Sequence, residues 1–89
     1  MTSNHYLPDT HREAAYTATA GSVTVGDQTY AVRVLVTTDA HVKFGGDATT
    51  SDMLVKANQA EVFSCKPGSS ISARQVSTGG DLHVTELTQ

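Results

Sequence analysis

At 89 residues and 9.4 kDa the chain has room for one small core. Its net charge of -3 comes with six basic residues that never stand side by side, so the basic patch that nucleic acid requires is missing. Only 38% of the residues are apolar while 13 Thr and 8 Ser are present, a composition suited to strands with polar outer faces and a thin core that gains stability from self-association or from docking on a larger partner.

Residues 1–20 carry Pro8, two histidines and two tyrosines with no period of 2 or 3.6, and read as an extended arm. A short helical turn over Asp9 to Ala15, capped by Asp9 or Thr10, is the most structure this segment suggests. No basic leader followed by an apolar run opens the chain, and no apolar stretch is long enough to span a bilayer. Neither a signal peptide nor a membrane span is expected.

From Gly21 to the end, residues 21–89, the texture is that of one β-domain. Ser22 to Val25 alternates and Gly26-Asp27 marks a turn. Tyr30, Val32, Val34 and Val36 then share one face of a strand, with Arg33 and Leu35 on the other, because successive side chains point to opposite sides. Val42 and Phe44 face in from the next strand, which Gly45-Gly46 ends, and the polar segment Asp47 to Asp52 is a surface loop before Met53-Leu54-Val55.

A turn over Ala57 to Ala60 leads to a strand with Phe63 and Cys65 inward. Lys66-Pro67-Gly68 stops it as a type II turn, since Pro supplies the first φ and Gly the positive second one. Ile71 and Ala73 face in, Val76 closes that strand, and after Thr78 to Asp81 the last strand buries Leu82 and Val84 and ends at Leu87. Turn signals at this spacing predict a small antiparallel β-sandwich or jelly roll of seven or eight short strands.

The residues that carry chemistry are sparse. His5, His11, His41 and His83 stand at no metal-ligand spacing along the chain, and His41-Val42-Lys43 lacks the second ligand of a cupin-type His-x-His pair, so no metal site is expected. His41 and His83 alternate with inward residues and face outward. No Gly-x-Ser-x-Gly elbow occurs, and Glu13, Glu61 and Glu86 show no paired arrangement for glycoside hydrolysis. Gly45-Gly46 and Gly79-Gly80 read as turns, not phosphate cradles. Cys65, the single cysteine, reads as a small core hydrophobe. No catalytic residue, cofactor or small-molecule substrate is expected. With no Trp and five aromatics, a glycan-binding module is the weaker alternative from another functional class.

The runs AVRVLVTTDAHVKFGG and MLVKANQAEVFSCKPGSSISARQVSTGGDLHVTEL contain Phe44-Gly45, a corner from Glu61 to Gly68 and a closing Leu82 to Leu87. In these the chain resembles small β-sandwich virion proteins of tailed bacteriophages. The resemblance covers about two thirds of the chain and rests on turn and core residues. It implies a non-enzymatic structural role on the capsid surface after synthesis in the host cytoplasm, most simply as a decoration (cement) protein bound to the major capsid protein lattice. A head-to-tail, neck or tail component is the alternative within the particle. On that reading a homotrimer is expected, and Tyr6, Leu7, Pro8, Arg12 and Tyr16 of the arm are the expected partner-binding residues, being the apolar, aromatic and Arg anchors that interfaces favour.

Overall fold

β-branched residues at alternate positions dominate the architecture. A computed structural model describes residues 7–88, which form eight strands: β1 (Leu7–Tyr16), β2 (Gly21–Thr24), β3 (Ala31–Val36), β4 (Ala40–Phe44), β5 (Met53–Val55), β6 (Glu61–Ser64), β7 (Ser70–Gln75) and β8 (Gly80–Thr88). Two four-stranded antiparallel sheets run in the orders β1-β8-β3-β6 and β2-β7-β4-β5. First pairs with last, second with seventh, third with sixth and fourth with fifth. This nested order is that of a jelly roll, a β-sandwich wound from one long folded ribbon.

Val32, Val34 and Val36 of β3, Leu82 and Val84 of β8 and Tyr16 of β1 meet Val23, Val42, Val55, Ile71 and Ala73 of the facing sheet. Each fully buried branched side chain contributes about 1.5–3 kcal/mol. β7 is buried on both faces at its centre: Ile71 and Ala73 point into the sandwich, while Ser72 is covered and its hydroxyl donates to the Gly46 carbonyl at 2.6 Å. Phe44 and Phe63 meet edge to face at 5.5 Å beside this core.

The expected turn lies at Lys66–Ser69, where the Ser69 N–H donates to the Lys66 carbonyl at 3.2 Å and Gly68 has φ 72°. Between β5 and β6, Asn58 takes φ 60°, a conformation Asn tolerates better than most residues.

The structure departs from the sequence expectation in three places. Residues 9–15, read as a helical turn within an arm, belong instead to β1, which pairs with β8 from Leu7↔Thr88 to Tyr16↔Gly80. β1 does alternate from His11 onward, but its inward positions are Arg12, Ala14 and Tyr16, a set too polar and too small to register as an apolar face. One extra residue between Pro8 and His11 bulges the strand and sets this phase. Tyr30 precedes β3 and is exposed, because Thr29 takes the inward place ahead of it. Val76 lies beyond the end of β7 and is also exposed.

Candidate functional site

The inward series of β8 runs Leu82, Val84 and then Glu86, which is 4% exposed. A carboxylate in that position has to be satisfied by protein groups. Arg12 on the neighbouring β1 donates its Nε–H to Glu86 Oε2 at 2.5 Å, the Thr29 hydroxyl donates to Oε1, and the Gly26 N–H donates to Oε2 at 3.3 Å. Burial pushes the carboxyl up. The hydrogen bonds from Thr29 and Arg12, the Arg12 charge and the Gly26 N–H outweigh it, and the net effect holds Glu86 below the ordinary glutamate value. This cluster joins β1, β8 and the β2–β3 loop at one end of the core.

Directly opposite, on the outer face of the same two strands, the odd positions form a second cluster. Register pairs His11 with Thr85 and Glu13 with His83. His11 Nε2 lies 3.3 Å from His83 Nδ1 and 3.6 Å from Glu13 Oε2, and His83 Nδ1 lies 3.5 Å from Glu13 Oε1. The other nitrogen of His11, Nδ1, is 2.9 Å from the Thr85 hydroxyl. The two imidazoles stack with centroids 5.4 Å apart. Together they are the one group of three potential metal ligands among the described residues.

A cleft of about 530 Å³ opens between Phe44, Gly45, Ser64, Cys65, Lys66 and Ser69. Its cysteine is half-buried and packs against the core. Burial, and then the charge of Glu86, push the thiol up and away from the thiolate form that a nucleophile needs.

Of the residues expected to bind a partner, Tyr6 lies outside the described residues. Leu7 is 62% exposed and Pro8 is exposed beside it at the start of β1. The other two face the other way. Arg12 is held in the Glu86 ion pair. Tyr16 is a core residue whose hydroxyl donates to the Thr38 carbonyl at 2.7 Å and accepts the Thr38 N–H at 3.2 Å. Their inward placement follows from the alternation of β1, which an arm would not impose.

Sequence reasoning missed two clusters. Glu86 stands two residues after Val84 on an alternating strand, so its inward place was readable from period alone. His11-x-Glu13 and His83-x-Thr85 each place two polar side chains on one strand face, a visible half-signal. What joined them was the pairing of the first strand with the last.

On the far side of the sandwich the edge strands β5 and β6 carry Met53, Leu54 and Val62, at 43%, 49% and 55% exposure. Leu54 lies opposite His41 and Val62 opposite Arg33, so each stands on the outer face of its own sheet, and both free edges offer apolar side chains to a partner.

The fold and its satisfied clusters define a small jelly-roll sandwich. Comparisons with protein-family models, with characterised proteins and with solved structures return no match to this chain.

Proposed function

We propose that this chain is a non-enzymatic structural protein of a tailed-bacteriophage virion, a decoration (cement) protein that binds and stabilises the major capsid protein lattice, acting as a homotrimer on the capsid surface. The observation that carries the reading is that both free edge strands at this end of the sheet orders, β5 with Met53 and Leu54 and β6 with Val62, expose apolar side chains on a domain this small. Free strand edges with apolar side chains promote association unless something covers them. The resemblance of residues 31–46 and 53–87 to small phage virion proteins supports a capsid as that partner, and exposed Leu7 and Pro8 offer a second point of attachment at the opposite edge. A jelly roll by itself does not choose a function, since viral, lectin and enzyme domains all use it.

The mechanism on this reading is linkage. A protein that binds only the assembled lattice adds its binding free energy to that lattice, about 1.4 kcal/mol for each tenfold of concentration above its Kd. The test is to add purified protein to capsids that lack it, then count copies per particle and measure capsid melting. Lattice-wide occupancy with a raised melting temperature is expected. Occupancy of a single ring assigns the protein to the neck or tail, and no binding at all removes the virion reading. Sedimentation of the free protein is expected to give a trimer, and a monomer would confine trimer formation to the lattice.

A further inference from the structure

We propose that His11, Glu13 and His83 form a binding site for a divalent transition metal of the zinc class on the outer face of the β1–β8 ladder. The topology builds it. β1 and β8 are antiparallel neighbours, so Glu13 lies directly opposite His83, and His11 sits two residues from Glu13 on the same face. Residues directly opposite in such a pair have Cβ atoms only about 4.5–5.5 Å apart, and a diagonal neighbour is within reach of a long side chain. The alternation that sends Arg12 and Ala14 inward sends these ligands outward.

The distances fit a metal. Three corners of a tetrahedron are separated by about 1.63 times the bond length, or roughly 3.3–3.5 Å for the Zn–N and Zn–O bonds of zinc proteins. The two imidazole nitrogens stand 3.3 Å apart, Glu13 Oε1 stands 3.5 Å from His83 Nδ1, and Glu13 Oε2 stands 3.6 Å from His11 Nε2. One oxygen of Glu13 faces each imidazole. Binding through a single oxygen therefore turns the carboxylate so that one oxygen faces both imidazoles.

The surroundings of His11 are those of a metal ligand. Its Nδ1 is engaged by the Thr85 hydroxyl, which fixes the ring and leaves Nε2 facing His83 and Glu13. Two imidazoles and one carboxylate are a donor set for Zn²⁺ and its transition-metal neighbours, whereas Ca²⁺ and Mg²⁺ prefer all-oxygen shells. The exposed side lets water or a group from a docked partner complete the coordination. The bound ion would clasp the first strand to the last. β1 is an edge strand held on one side only, and a ligand bound to the folded state alone stabilises that state. This inference is independent of what the domain docks on.

The experiment uses the full chain freed of metal with a chelator. Titration with Zn²⁺ is expected to give one equivalent bound per chain at micromolar Kd. The thermal midpoint should rise by roughly 10–20 °C when free Zn²⁺ reaches a hundredfold excess over Kd. Co²⁺ should give the visible absorption of a tetrahedral ion. His11→Gln and His83→Gln keep side-chain size and polarity, and each should abolish saturable binding while leaving the metal-free midpoint in place. Thr85→Val should weaken binding about tenfold through the freed His11 ring. An absence of saturable micromolar binding, or binding that survives both Gln variants and so resides on the remaining histidines, overturns the proposal.

Discussion

The Arg12 guanidinium meets the Glu86 carboxylate at 2.5 Å, two residues along β8 from Arg12's own register partner Val84, and so ties an edge strand to its neighbour across the end of the core. Glu86 is nearly inaccessible, while Arg12 keeps one side toward solvent. The charge is thus buried mainly on the acid side, where Thr29 and Gly26 supply further donors.

Removing one partner from such a cluster costs more than the interaction itself contributes, because the group left behind stays desolvated. Glu86→Gln and Arg12→Ala should each destabilise the fold by about 1–3 kcal/mol at neutral pH, read as a lower urea midpoint. The double variant Arg12→Met with Glu86→Leu should recover part of that loss, since apolar replacements leave no orphaned charge.

The same carboxylate gives the fold an acid sensitivity of defined sign. Glu86 titrates lower in the folded chain than in the unfolded one, so the unfolded state takes up the proton first as pH falls. The stabilisation is fully present above the unfolded glutamate value of about 4.3 and is lost as pH drops through the lower folded value. Glu86→Gln should therefore show a shallower fall in stability below about pH 5 than the parent. Some acid dependence should remain, because Asp39 and Asp52 are also held low, by the Ala57 and Thr49 backbone N–H groups respectively before any other cause.

Tyr16 ties the end of β1 to the β3–β4 connection, reaching with its hydroxyl to the backbone of Thr38. Tyr16→Phe should cost about 1 kcal/mol or somewhat more, since it leaves a carbonyl and an N–H without that partner. Tyr16→Ala should cost about 3–5 kcal/mol by opening a cavity as well. Thermal melts distinguish the two. A Tyr16→Ala protein as stable as the parent would mean that β1 is dispensable to the fold.

The parts of the structure legible in the sequence are those set by local chemistry. Val32, Val34 and Val36 alternate without interruption, and Pro67-Gly68 can do little but turn, so β3 and the Lys66–Ser69 turn follow from a few residues. β1 was not legible because an inward Arg12 is acceptable only when Glu86 lies beside it, and that partner is 74 residues away. For the same reason the extended arm expected over residues 1–20 gives way, over Leu7–Tyr16, to a strand that carries the core residue Tyr16. The His11–Glu13–His83 cluster hides behind the same long-range pairing, although each half was visible as two polar residues on one strand face.

Between β1 and β2 the chain reverses so closely that a Cβ on Gly21 would stand 1.9 Å from the Ala15 carbonyl oxygen. No side chain fits there without moving backbone. Gly21→Ala should destabilise by about 1–3 kcal/mol or more, well beyond the helix- or strand-propensity effect of the same change on an open surface. By contrast, a Cβ on Gly45 meets nothing, but its φ of 90° makes Ala strained there for conformational reasons alone. Equal urea midpoints for Gly21→Ala and the parent would mean that the β1–β2 reversal relaxes freely.

The edge strands β5 and β6 separate docking from folding. Leu54 and Val62 are about half exposed, so replacing them removes little buried area, and Leu54→Asp and Val62→Lys should each change stability by about 0.5 kcal/mol or less. A charge on a strand edge is also the device natural sheets use to prevent pairing with other chains. Whichever of these two edges carries the association, its variant should remain folded yet lose capsid occupancy and any trimer, while Leu7→Asp on β1 reports on that side separately. Should Leu54→Asp and Val62→Lys bind and assemble like the parent while Leu7→Asp fails, the contact belongs to the start of β1, where Leu7 and Pro8 stand exposed.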